Sequence, residues 1–161
     1  LIEDYYESHP NEIDINDVIQ TIEMANGYGS AYINIKTGEK EFLPEEKALY
    51  DGDLDELYDK IDDSNWVEVP EINDYRIMMN FATQVKNKNI SDSLIKILHN
   101  KHSYRKFKDA IFDMNIEDEY YDYYEEQIYQ LAKQWLEENC ANEIDDYYDD
   151  HIYEEEGNIK H

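Results

Sequence analysis

Residues 30–44 read SAYINIKTGEKEFLP, and this stretch decides the fold class. Apolar and polar positions alternate on both sides of Lys36-Thr37-Gly38, which is the period of a half-buried strand. Gly38 supplies the left-handed backbone that a tight reversal requires, so the stretch predicts a β-hairpin. Pro44 closes it, because proline has no N–H to donate to a ladder. NWVEVP at 65–70 has the same character, stops at Pro70 and is expected to pair with the hairpin.

Outward from these strands the chain reads as helix. INDVIQTIEMANG at 15–27 has Asp14 or Asn16 as its cap, an apolar face of Val18, Ile19, Ile22 and Ala25, and Asn26-Gly27 as its stop. EEKALYDGDLDELYDKIDDS at 45–64 gives helical pieces interrupted at Gly52, with Leu54, Leu57, Tyr58 and Ile61 inward. Beyond Pro70, Asn73 or Asp74 caps a helix with the stripe Tyr75, Met78, Phe81, Ala82 and Val85. Ser91 starts another, with Leu94, Ile95 and Leu98. Ser103 opens a third, with Tyr104, Phe107, Ile111 and Met114. The longest runs from about Glu117 to Asn139, with Tyr121, Tyr124, Ile128, Leu131, Ala132 and Trp135 in line. The expected architecture is α+β: a small antiparallel sheet, hairpin plus one strand, packed on a mainly helical C-terminal half. Trp66 and Trp135 should both be buried. Length sets the expectation of one domain over 13–140, flanked by a mobile acidic arm at 1–12 and an acidic, tyrosine-rich tail at 141–161.

Charge is the dominant global property. The 161 residues carry 40 acidic and 14 basic side chains, for a net charge of -26. Such a chain repels nucleic acid and anionic membrane surfaces and attracts basic proteins. The expected partner is therefore a basic protein surface, with no direct nucleic acid and no membrane. Cys140 is the one cysteine, so no intrachain disulfide forms, and a reducing cytoplasm is the expected compartment. The start LIEDYYESHP has neither the basic nor the apolar segment of a signal peptide.

Several elements together resemble a known family. Thr37-Gly38-Glu39 in the hairpin, the Trp66-Val67-Glu68-Val69-Pro70 strand and the Asp74-Tyr75-Arg76 helix start with Phe81 come first in order. Tyr104-Arg105-Lys106-Phe107-Lys108-Asp109 and Ala132-Lys133-Gln134-Trp135-Leu136-Glu137 follow. In this order they look like the bacterial uncharacterised protein family 158, over roughly residues 13–140. Tyr104 stands where the family pattern suggests Phe, and a tyrosine cluster stands where it suggests Trp. The resemblance implies the order of elements and implies no catalytic residue and no cofactor.

The distribution of charge marks the candidate sites. From Arg76 to Lys108 lie eight basic residues and one acid, so this segment is +7 and the rest of the chain -33. Arg76, Lys101, Arg105, Lys106 and Lys108 are the candidates for binding an anion or a partner. Arg105 and Lys106 sit in a first helical turn, where the dipole disfavours cations, so compensation is expected. Carboxylates of this same chain are the expected compensators. A phosphate, carboxylate or other small anion, bound with or without catalysis, is the alternative, since a helix start with Arg and Lys suits that ligand.

The second candidate is EDEYYDYYEEQIYQ at 117–130. Glu119, Tyr120, Asp122, Tyr123 and Glu126 lie off the predicted apolar stripe and are expected to form an acidic interaction surface. Their carboxylate spacing also suits imitation of nucleic-acid phosphates. The leading expectation is a non-enzymatic acidic interaction or inhibitory module; the alternative is a small-anion or nucleotide-binding protein using 101–108. No metal site is expected. DGDLDELYDKID at 51–62 resembles a calcium loop but has Glu56 in place of the turn glycine and ends in Asp62. His99 and His102 lack companion ligands at metal spacing, and Cys140 has only Glu137 and Glu138 nearby in sequence, which disfavour a thiolate.

Overall fold

A computed structural model describes residues 13–140; the expected arm at 1–12 and tail at 141–161 lie outside the described residues. The elements run α1 (Ile15–Ala25), β1 (Gly29–Asn34), β2 (Lys40–Pro44), a 3-10 turn (Lys47–Leu49), α2 (Leu54–Ile61) and β3 (Trp66–Glu68). Four helices follow: α3 (Asp74–Gln84), α4 (Lys88–Leu98), α5 (Ser103–Asp113) and α6 (Glu117–Asn139). The fold is α+β, with a mainly helical C-terminal half. Two compact units are present. One comprises the described parts of Leu1–Glu71 and Leu131–His161, the other Ile72–Gln130, so the chain crosses between them at Glu71–Ile72 and again within α6.

In the first unit the sheet has the order β2-β1-β3 and is antiparallel throughout. Tyr32 lies opposite Glu41 on one side and Glu68 on the other, so β1 is the central strand. The reversal after β1 uses Gly38 at φ 77, as its sequence predicts. It is also fixed by Asn34, whose side-chain oxygen accepts the N–H groups of Lys36 at 2.8 Å and Thr37 at 3.1 Å. Alternation buries Ala31 and Ile33 on the face that meets α1, which supplies Val18, Thr21, Ile22 and Ala25. Thr21 replaces Ile19 in the predicted face, because its hydroxyl is satisfied locally by the Asp17 carbonyl at 2.6 Å. Trp66 and Trp135 are both buried, and the Trp135 indole N–H donates to the Glu68 carbonyl at 2.9 Å. That bond ties the last turns of α6 to β3. Each fully buried aliphatic side chain of this unit, such as Ile22 or Ile33, stabilises it by about 1.5–3 kcal/mol.

In the second unit α3 packs on α4 and α4 on α5. Asn73 caps α3 by accepting the Arg76 N–H at 3.0 Å, and Asn87 caps α4 by accepting that of Ile90 at 3.2 Å. Helix α4 therefore starts at Lys88, one turn before Ser91. Ser91 is instead buried, with its hydroxyl donating to the Ala82 carbonyl at 2.7 Å. The inward side of α3 is Ile77, Met78, Phe81 and Ala82; Tyr75 of the predicted stripe is exposed. Tyr104 is likewise exposed, while Phe107 and Ile111 carry the α5 stripe. Both exposed tyrosines lie in first turns, where a side chain leans back past the end of its own helix.

Candidate functional site

Helix α5 holds most of the basic cluster, and its two ends differ. At its C-terminus Asn115 adopts φ 62 and the Ile116 N–H donates to the Ile111 carbonyl at 2.9 Å, so the last carbonyls are satisfied. At its N-terminus His102 adopts φ 59 and no side chain caps the first turn. Lys101, Arg105 and Lys106 are exposed there. Among the described residues none of the three forms an ion pair. Arg76 is exposed on α3, and among the described residues no hydrogen bond or ion pair joins its side chain to the cluster.

Lys108 has a different environment. Its ammonium donates to the Tyr121 hydroxyl at 3.0 Å and lies 4.4 Å from that ring's centroid. It is also 5.2 Å from the Tyr104 ring and 5.0 Å from the Tyr120 ring. Lys108 thus meets tyrosines in place of the expected carboxylate of this chain; for Arg105 and Lys106 the acidic arms, which are among the expected compensators, lie outside the described residues. The reason is geometric: Tyr104 precedes Lys108 by one helical turn, and α6 brings two further rings to its ammonium. Three aromatic rings attract a cation without needing a charged partner.

The acidic surface also requires one correction. Tyr120, expected outside, is fully buried, and Tyr121, expected inside, is 40% exposed. Tyr120 sits edge-on to Phe81 at 5.2 Å and to Phe107 at 5.1 Å. Tyr121 stands in line with Ile128 and Trp135 at seven-residue spacing, so periodicity selects it. The rings that α3 and α5 supply meet α6 at Tyr120 instead. Burial pushes the Tyr120 phenol well above its ordinary value, with the Asp74 carboxylate and neighbouring tyrosines adding to it. Tyr123 is half-buried and its hydroxyl accepts from the Gln84 amide at 3.2 Å. Glu119, Asp122 and Glu126 are exposed as expected. None of them forms an ion pair among the described residues; the Glu126 carboxylate accepts from Gln130 at 2.9 Å.

The ion pairs found among the described residues all belong to the first unit. Lys60 lies 2.6 Å from Glu41 and 3.8 Å from Glu39, and Lys40 lies 3.5 Å from Asp17. The hydrogen bond to Glu41 raises the Lys60 pKa. In the calcium-like run, the Asp53 carboxylate is engaged as the α2 cap, accepting from Asp55 N–H at 2.9 Å and Glu56 N–H at 3.4 Å. Among the described residues no group of three metal-ligating side chains occurs, and no helix is long and apolar enough to cross a membrane.

The tyrosine cage around Lys108 is only partly legible in the sequence. The Tyr104-to-Lys108 spacing is visible in sequence, whereas the contribution of Tyr120 and Tyr121 depends on how α6 meets α5. The profile of the Uncharacterised protein family (UPF0158) fits residues 8–152. The fit takes in parts of both acidic ends, which the resemblance read from sequence left out. No curated protein and no solved structure matches the chain.

Proposed function

Since the chain belongs to the uncharacterised protein family UPF0158, a description that assigns no reaction, we propose that it acts as a non-enzymatic acidic module that docks on a basic protein surface. The observation that carries this reading is the state of the α6 carboxylates. Glu119, Asp122 and Glu126 are exposed at helical spacing, without a cationic partner among the described residues. Their field is therefore available to an incoming basic surface, with Tyr129 beside them, 40% exposed, as an amphipathic contact. Tyr120 has no part in that surface and serves as its internal support. Electrostatic steering makes such docking fast and salt-sensitive.

The test is affinity capture from host lysate at low and high salt, run in parallel with a Glu119→Lys, Asp122→Lys, Glu126→Lys variant. Basic proteins retained at low salt, released at high salt and lost with the variant support the reading. Identical capture by both chains sinks it. Displacement of the captured partner by duplex DNA would sharpen the role to phosphate imitation.

A second reading has its own observation. The α5 first turn lacks a side-chain cap and carries exposed Lys101, Arg105 and Lys106, an arrangement that suits a small anion or nucleotide. Calorimetric titration with inorganic phosphate and with a nucleoside triphosphate tests it. Binding that disappears in Arg105→Ala supports this reading, and heat flow no different from buffer removes it.

A further inference from the structure

Helix α5 presents Arg105, Asp109 and Phe112 outward at i, i+4 and i+7 spacing, and all three are exposed. Phe112 is 66% exposed, and Tyr104, on the flank of the same face, is 52% exposed. Charge is ordered along the axis. Lys101, Arg105 and Lys106 lie at the N-terminal end, and Asp109 and Asp113 toward the C-terminal end. This order opposes the helix dipole at both ends, since cations are favoured at a C-terminus and anions at an N-terminus. A second α5 laid antiparallel reverses each of these relations: cations then face the acidic, carbonyl-bearing end of the other helix.

We propose that α5 is a self-complementary docking face for a second copy of this chain. The two helices pair antiparallel about a two-fold axis near residues 108 and 109. Arg105 of one copy lies opposite the partner's Phe112 and the partner's Asp113, and the twofold repeats both contacts. Charge complementarity selects this occupant. An acidic stranger would satisfy only the N-terminal half of the face, whereas a copy satisfies both halves and covers Phe112. Lys108 does not oppose the pairing, because its ammonium is turned to Tyr121, Tyr104 and Tyr120. The net charge of -26 does oppose it at long range. Moderate salt screens that repulsion more than it screens contacts inside the interface. Pairing therefore tightens from low to moderate salt, opposite in sense to docking on a basic protein, so the two can fail separately.

Sedimentation equilibrium of the full chain at low and moderate salt, through the millimolar concentration range, provides the test. The wild-type chain is expected to reach the dimer mass at moderate salt. Arg105→Asp alone and Asp113→Arg alone should each weaken the dimer by about tenfold or more. An equimolar mixture of the two variants should restore it, because each mixed contact again joins opposite charges. A wild-type chain that stays monomeric throughout overturns the proposal. So does a dimer indifferent to the single substitutions, or a mixture no tighter than its parts. Circular dichroism checks that the variants are folded. If either is not, Phe112→Ser is measured in the same way, and an undiminished dimer rejects the α5 interface.

Discussion

Lys60 and Lys108 show how differently two regions of one acidic chain accommodate a cation. In the first unit Lys60 reaches Glu41 and Glu39 across the sheet edge, with its ammonium 5.1 Å over the Trp66 ring. In the second unit Lys108 has Asp109 as its sequence neighbour and the acidic start of α6 nearby in the chain, yet it engages three tyrosine rings and a hydroxyl. An excess of carboxylates therefore does not decide where a lysine goes. Strand pairing sets carboxylates within reach of Lys60, whereas helix packing sets ring faces around Lys108. An exposed ion pair is worth about 0–1 kcal/mol and is screened by salt, while each cation–ring contact is worth about 0.5–1 kcal/mol and three of them act on Lys108.

The largest expected effect tests the support beneath the cage. Tyr120→Ala removes a fully buried ring between Phe81 and Phe107 and should cost about 3–5 kcal/mol in urea denaturation. A loss near zero would mean that the aromatic cluster does not organise the second unit.

Alkaline pH probes the same residue. The folded Tyr120 phenol is raised above its ordinary value of 10.0, so the folded state holds that proton more tightly than the unfolded chain. Its contribution is complete below pH 10 and diminishes as pH rises beyond it. Urea midpoints should fall from pH 9 to pH 11, and Tyr120→Phe should fall less steeply. Parallel curves for the two proteins would contradict the assignment.

Substituting the two lysines bears on the comparison itself. Lys108→Met should lower stability by about 1–2 kcal/mol, with little change between low and high salt. Lys60→Met should lower it by at most about 1 kcal/mol, with the loss shrinking in salt. Equal salt dependence in paired thermal melts would erase the distinction drawn between the two units.

The smallest effect has an informative sign. Lys106 makes no ion pair among the described residues and lies in the uncapped first turn of α5. Lys106→Glu should therefore raise stability at low salt, by about 0.3–1 kcal/mol, through the helix dipole. Lower stability would show that a carboxylate engages Lys106 after all.

Much of this was legible in the sequence. Residues 30–44 determined a hairpin because alternation and a glycine reversal are local constraints, and the third strand followed from its pattern and its proline stop. The bounds of α6, Glu117–Asn139, were likewise readable, as were the burial of Trp66 and Trp135 and the inward placement of Phe107 and Ile111. Net charge is a property of composition, and its separation into a basic segment and an acidic remainder is a property of residue order. The tertiary structure decided which tyrosine of an adjacent pair is buried, which cation meets a ring and which meets a carboxylate. Tyr120 and Tyr121 differ by one position on the same helix, and either satisfies a helical period. Only the placement of Phe81 and Phe107 distinguishes them, because burial is settled by what a neighbouring element brings and not by the period of the helix that carries the residue.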